Sequence, residues 1–235
     1  MTPADESLQR VRTRIREVIA GSSVPEDPGH SINTLEWLLK FEPGADEALQ
    51  LAALGHDIDR AVEASKVLRA DFSDYEDFKA THARHSAEML LAILQECGVE
   101  DPALADELSR LVCAHEVGGE PRTDLLMEVD SLSYFDVNLP LYRERNSREE
   151  TLRRCVWGYH RLSERARRIV AQLYPPGDEL AGLLEEARSE AMRKEFTQSG
   201  HLVHSRTALR VLPHSQPRVW QPSSHPLRLA DKPSA

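Results

Sequence analysis

The chain has 235 residues, 40% of them hydrophobic, and carries a formal net charge of -10 at pH 7. This length and hydrophobic content suit one main domain around one sizeable core. The acidic balance argues against sequence-independent binding to a nucleic-acid backbone, which requires a basic surface, but it leaves room for a small anionic substrate in a local pocket.

The sequence shows neither a membrane span nor a secretion signal. No apolar run approaches the ~20 residues that cross a bilayer, and the N-terminus has no basic segment followed by an apolar one. We therefore expect a cytoplasmic protein without membrane contact. The three cysteines are odd in number and lie in helical stripes, so we expect reduced core residues rather than disulfides: Cys97, Cys113 and Cys155.

The sequence predicts three helices before residue 60, and the third ends in an adjacent histidine and aspartate. Apolar residues at three- and four-residue steps predict an amphipathic helix over 5–20. After a segment with prolines and glycines, His30 opens a second helix over 31–41. A third helix is apolar nearly all round, which indicates a central position, and it ends in the adjacent pair His56-Asp57.

The predicted helices that follow carry further histidines and a carboxylate among inward-facing positions. Residues 61–71 favour a loop, and a long helix over 74–97 places His82 and His85 on its apolar face. A helix starting at Asp101-Pro102 directs His115 where its leucines point, and a helix over 122–138 places Asp130 in an inward stripe.

The last predicted elements are two amphipathic helices, over 147–173 and 178–196, followed by a proline-containing tail. We predict a disordered or loosely docked tail over 197–235 and one domain over 1–196. No stretch indicates a β-strand. The predicted fold class is therefore all-α, a helical bundle.

Histidine and aspartate recur on separate helices at positions that the apolar stripes reserve for the interior. Neutral imidazole and carboxylate both suit a divalent first-row cation, and a metal is one way to compensate a buried carboxylate. The alternative is that each histidine is individually satisfied in the core. The combination favours a metal site.

Read in order, these residues are His, His-Asp, His, His, Asp, and the pattern resembles the HD-domain superfamily of all-α metal-dependent phosphohydrolases over residues 28–135. The resemblance implies a bundle of that type and one or two divalent ions, such as Mn, Fe, Mg or Co. His85 is favoured over His82 because its interval from His56 resembles the family's, but His82 remains an alternative. The ligands implied are His30, His56, Asp57, His85, His115 and Asp130.

The resemblance also implies catalytic roles for Asp57 and Arg60. Asp57 would bridge two metals that lower the pKa of a bound water. Arg60 stands where the cyclic-dinucleotide branch has a lysine, and it would neutralise a substrate phosphate. The alternative is a surface arginine paired with Asp59 or Glu63. No motif for a protein nucleophile or a phosphate loop is present.

The subfamily is not identified, because the chain departs from two branches. Ala114 stands where the cyclic-dinucleotide branch has a histidine, and Arg60 and Ala61 replace the Glu-Asp pair of guanosine-tetraphosphate hydrolases. We therefore expect hydrolysis of a small phosphate ester, such as a nucleotide. Alternatives are a di-iron oxygenase with the same ligands and a non-catalytic domain that binds a nucleotide or a partner.

An arginine-rich stretch over 143–168 is predicted to be mostly a solvated face. Arg154, His160 and Arg161 lie close enough to its inward face to reach a bound anion, although none is assigned a catalytic role. The expected ligand is a small anionic, phosphorylated molecule. A homo-oligomer is compatible with the sequence.

Overall fold

A computed structural model describes the backbone of residues 2–202 and the side chains of residues 2–193. Within this part of the chain there is no strand, which confirms the predicted all-α bundle. The helices are α1 Pro3–Ile19, α2 Asp27–Phe41, α3 Glu47–Gly55, α4 Tyr75–Glu96, α5 Pro102–Ala114, α6 Pro121–Ser133, α7 Leu139–Arg145, α8 Arg148–Tyr159, α9 Glu164–Val170 and α10 Glu179–Leu202.

Local capping fixes where several of these helices begin. The side chain of Asp46 accepts a hydrogen bond from the Leu49 backbone N–H at the start of α3, and Asp101 does the same for Leu104 in α5. α2 begins at Asp27, four residues before the predicted start at residue 31, because Pro28 suits the first turn of a helix. His30 therefore lies within the first turn of α2 rather than ahead of it.

Helix α3 lies in the centre of the bundle, as its uniform apolarity predicts. Nearly all of its residues are buried, and it contacts α2, α5 and α6. At Gly55 a Cβ atom would lie only 2.5 Å from Leu90 Cδ2, so the absence of a side chain makes room for Leu90 of α4 at the end of α3. His56 and Asp57 therefore leave α3 inside the bundle rather than at its surface.

The predicted helix over 122–138 is interrupted in the structure. α6 ends at Ser133, and the chain continues through a π-helical turn, Tyr134–Asn138, before α7 begins. Pro140 lies in the first turn of α7 and has no backbone N–H to continue a regular ladder. The wider turn brings Tyr134 and Asn138 to the wall of a cavity that is described below.

The predicted single helix over 147–173 is wrong: the structure divides it into α8 and α9. The side chain of Ser163 accepts a hydrogen bond from Ala166 N and caps a new helix start, a local signal that the apolar stripe conceals. The break leaves Arg161 in the turn between the two helices. This position lets its guanidinium group reach α6 and the end of α5.

The chain divides into two compact units, residues 1–191 and 192–235, and all features discussed below belong to the first. α10 continues to Leu202, beyond the predicted end at residue 196. The predicted tail from residue 203 onward lies outside the described residues. Among residues 2–202, no helix is long and apolar enough to cross a membrane.

All three cysteines are free, but the prediction that all of them are core residues is wrong. Cys155 is buried, whereas Cys97 is half-buried and Cys113 is exposed. Cys113 lies near the end of α5, on the side away from the buried positions Leu111 and Val112. The buried face of α5 is therefore narrower than the apolar stripe of its sequence predicts.

Candidate metal centre

Three of the predicted ligands form a tight group inside the bundle. His30 Nε2 from α2 lies 3.3 Å from His56 Nε2, which follows α3. Asp130 Oδ1 from α6 lies 3.3 Å from the first of these nitrogens and 3.5 Å from the second. Both histidines are almost fully buried. Three separate helices therefore bring three ligand atoms to one point.

These separations fit a shared metal ion. Nitrogen and oxygen ligands lie about 2.1 Å from a first-row ion, so neighbouring ligands at octahedral or tetrahedral angles are roughly 3.0–3.4 Å apart. The group of His30, His56 and Asp130 matches this spacing closely. Two nitrogens and one carboxylate oxygen also form a donor set that first-row divalent ions prefer.

A second group adjoins the first and contains Asp57 and His115. His56, Asp57 and His115 each offer a ligand atom within 4.8 Å of the others. Asp57 Oδ2 lies 3.9 Å from His56 Nε2, and its Oδ1 lies 3.8 Å from His115 Nε2. The carboxylate of Asp57 therefore presents its two oxygens to different histidines. This arrangement suits a bridging ligand.

Backbone carbonyls orient two of the imidazole rings. His56 Nδ1 lies 3.2 Å from Ala53 O, and His115 Nδ1 lies 2.7 Å from Val112 O. A carbonyl oxygen can only accept a hydrogen bond, so each Nδ1 is the donor. The Nε2 atoms of both rings then face the cluster, which is the arrangement typical of histidine ligands.

The charges within the cluster keep its carboxylates ionised. Burial alone would raise the pKa of Asp57 and of Asp130, but neighbouring histidines and arginines hold both well below the usual range. Burial would likewise lower the pKa of His56, yet Asp57 and Asp130 raise it to about 9. Both carboxylates are therefore available as metal ligands, and an ion bound here would displace the proton from His56.

The structure places His82, rather than the favoured His85, beside the cluster. His82 Nε2 lies 2.9 Å from Asp57 Oδ1. His85 instead contacts Asp59 through its Nδ1 and does not line the cavity beside the cluster. The two histidines lie one helical turn apart on the same face of α4, so the sequence pattern did not separate them.

Asp59 is a site residue that the sequence reasoning did not find. It is almost fully buried, and its Oδ2 lies 2.8 Å from His82 Nδ1. The same carboxylate contacts His85 and accepts hydrogen bonds from the backbone N–H of Val67 at 3.1 and 3.2 Å. Asp59 therefore orients His82 towards Asp57. The signal in the sequence was a third polar residue, two positions after the His56-Asp57 pair.

Arg60 contacts the cluster directly. Its Nη1 lies 2.8 Å from Asp57 Oδ2, and its Nη2 lies 2.9 Å from Asp27 Oδ1. The alternative, in which Arg60 pairs with Asp59 or Glu63 on the surface, is therefore wrong. Its predicted role towards a substrate phosphate stays a prediction.

The cluster opens into a cavity of about 380 Å³. His30, Asp57, His82 and Asp130 line it from the cluster side. The rest of its wall is basic on balance, because it has one further carboxylate, Glu116, and six cationic side chains: Arg60, Lys66, Arg69, Lys79, Arg154 and Arg161. The volume lies within the range of sites for small molecules. The basic wall favours an anionic ligand.

Arg161 joins the basic wall to the cluster. Its Nη2 lies 3.2 Å from Asp130 Oδ2 and donates a hydrogen bond to His115 O at 3.1 Å. Its Nε is buried and has no hydrogen-bond partner among the described residues. The guanidinium group therefore retains a donor for a further partner.

The fold and the site together define an all-α protein with a buried His/Asp cluster that lines one side of a basic cavity. The chain belongs to the family described as a domain of unknown function, DUF4202, whose model matches residues 13–183. This match contains every residue of the cluster. No match was found among curated proteins or among solved structures.

Proposed function

We propose that this protein is a metal-dependent phosphohydrolase that acts on a small phosphate ester. The observation that supports the proposal most directly is the contact between the buried His/Asp cluster and the basic cavity. A cluster of this composition suits a divalent ion, and six cationic side chains suit a phosphorylated ligand. The likeness of the ligand order to the HD-domain superfamily supports the same chemistry.

His30, His56, Asp57, His82, His115 and Asp130 would hold one or two ions. A divalent ion at such a site supplies an activated water as nucleophile and polarises the phosphoryl oxygens. A water nucleophile fits the wall of the cavity, because the described residues that line it include no serine, threonine or cysteine and the proposal gives His30, Asp57 and His82 to the ion.

The arginines of the cavity would orient and neutralise the phosphoryl group. Arg60 is held between Asp57 and Asp27, and Arg161 is held by Asp130, so neither side chain must be ordered when the ligand arrives. Arg161 Nε is the donor that has no partner yet. A planar guanidinium group matches the geometry of phosphate oxygens.

The same ligand set serves the predicted alternative, a di-iron oxygenase, since imidazole-rich sites also suit iron. The basic wall favours hydrolysis over that alternative, because dioxygen chemistry does not by itself require an anionic substrate. A non-catalytic domain would bind its ligand in the cavity and would not need complete groups of metal ligands. The two ligand groups therefore favour catalysis over that alternative.

The test is phosphate release from a panel of nucleoside monophosphates and sugar phosphates by the full chain, with Mn²⁺ or Fe²⁺ and with chelator. The proposal predicts turnover that requires the ion and falls by at least about 10³-fold in His56→Ala and Asp57→Ala. The exposed His160 provides the control variant His160→Ala, which should retain turnover. Equal turnover in folded His56→Ala and wild type would refute the proposal.

A further inference from the structure

Arg154 differs from most arginines of the segment 143–168. Six of the nine arginines in this segment form ion pairs with carboxylates: Arg143, Arg145, Arg148, Arg153, Arg161 and Arg167. Arg154 has no carboxylate partner within the part of the chain that the structure describes. It is half-buried and lines the cavity. Its positive charge is therefore uncompensated next to the candidate metal centre.

Two aromatic rings hold Arg154 in place. Its guanidinium carbon lies 4.2 Å from the centre of the Trp157 ring and 5.3 Å from the centre of the Tyr134 ring. Cation–π contacts of this kind fix the guanidinium plane but do not neutralise its charge. The donors of Arg154 are thus ordered before any ligand binds, which reduces the entropy that binding would cost.

The neighbouring wall is polar and incompletely satisfied. Tyr134 and Asn138 both line the cavity and are more than nine-tenths buried. The Tyr134 hydroxyl and Asn138 Oδ1 have no hydrogen-bond partner among the described residues. Buried polar atoms without partners are uncommon and are costly unless something else satisfies them. A polar ligand group beside Arg154 is one way to satisfy them.

Arg154 and Arg161 lie close together in the wall of the cavity. Arg161, whose Nη2 is 3.2 Å from Asp130, stacks on the same Trp157 ring, with its guanidinium carbon 4.5 Å from the ring centre. The two guanidinium groups are therefore no more than about 9 Å apart, because both lie within cation–π distance of one ring. A single substrate can contact both.

We propose that Arg154, supported by Tyr134 and Trp157, forms a second anion subsite, and that the substrate is a small molecule with two anionic groups. One phosphoryl group faces the His/Asp cluster, and a second phosphate or carboxylate is bound by the Arg154 fork. This inference rests on the proposed function for the first group only. The subsite itself is a binding property that exists without turnover.

Binding therefore tests the subsite separately from catalysis. Isothermal titration of the full chain, with Mn²⁺ and with chelator, compares fructose 6-phosphate with fructose 1,6-bisphosphate, and glycerol 3-phosphate with 3-phosphoglycerate. The second pair adds a carboxylate and the first adds a phosphate, so the two pairs distinguish the sources of the second charge. A charge-assisted bidentate contact predicts at least about tenfold tighter binding of the compound with two anionic groups in at least one pair.

Matched variants assign the preference to Arg154. Arg154→Gln should abolish the preference by weakening the binding of fructose 1,6-bisphosphate and 3-phosphoglycerate, while fructose 6-phosphate and glycerol 3-phosphate lose much less affinity. Arg154→Lys should retain part of the preference. Arg153 is the control, because it is adjacent, exposed and paired with Glu149 and Glu150, so Arg153→Gln should keep the full preference. Circular dichroism shows whether each variant folds.

The subsite is refuted if wild type binds the members of both pairs equally, if it binds none of them, or if Arg154→Gln keeps the preference. A preference that depends on Arg154 in a protein without phosphatase activity would support the subsite and reject the proposed function. Turnover of esters that have one anionic group, without any preference in binding, would support the proposed function and reject the subsite.

Discussion

His82 Nε2 lies 2.9 Å from Asp57 Oδ1, so the histidine on α4 contacts the carboxylate that faces both ligand groups of the cluster. His85, one turn further along α4, contacts only the supporting carboxylate Asp59 among the acidic side chains nearby. The contacts indicate different roles for two histidines of one helix face. We expect His82 to act as a ligand and His85 to support Asp59.

Replacing these histidines one at a time tests their roles. His82→Ala should remove one ligand and reduce the retained metal strongly. His85→Ala should lower the affinity by about tenfold at most, because His85 contacts Asp59 rather than a ligand and is one contact further from the ion. Metal content after dialysis against buffered Mn²⁺, measured by mass spectrometry, distinguishes the two. A greater loss in His85→Ala would restore the original assignment.

Asp59 should influence metal binding without being a ligand. Asp59→Asn retains the size of the side chain but weakens the contacts that orient His82 and His85. We expect a decrease of roughly 10–100-fold in metal affinity, the usual effect of losing an orienting carboxylate. Competition with a fluorescent chelator measures it.

Asp71→Asn is the control for this experiment, since Asp71 is exposed in the same connecting segment. Unchanged affinity in Asp59→Asn, together with normal folding by circular dichroism, would contradict an orienting role.

These assignments show which parts of the site were predictable from sequence. Asp130 and His115 were found because each interrupts an apolar stripe at a helical interval, and burial follows directly from that interval. The choice between His82 and His85 required the rotation of α4 against the segment after α3, which no local pattern specifies. Arg161 faces the cluster because it lies in the turn between the end of α8 at Tyr159 and the start of α9, which Ser163 caps.

The close contact between Gly55 and the side chain of Leu90 gives a prediction for stability. Gly55→Ala places a methyl group 2.5 Å from Leu90 Cδ2, and Leu90 is fully buried and has little room to move. Overpacking of this kind costs about 1–3 kcal/mol, which exceeds the gain of up to about 1 kcal/mol from the better helix propensity of alanine. Urea unfolding should therefore show a net loss of stability.

Gly182 in α10 provides the matched case, because nothing lies within 4 Å of a Cβ atom there. Gly182→Ala should raise the free energy of unfolding by roughly 0.5–1 kcal/mol. If both substitutions changed stability in the same direction, the close contact at Gly55 would not be the controlling factor.

The metal content of the purified full chain tests the central claim most directly. After removal of bound ions and reconstitution with Mn²⁺ or Fe²⁺, wild type should retain about one to two ions per chain. The double variant His56→Ala/Asp130→Ala should retain almost none, because it removes two of the three side chains in the tightest ligand group. Failure of wild type to retain any divalent ion, or equal retention by the double variant, would contradict the account.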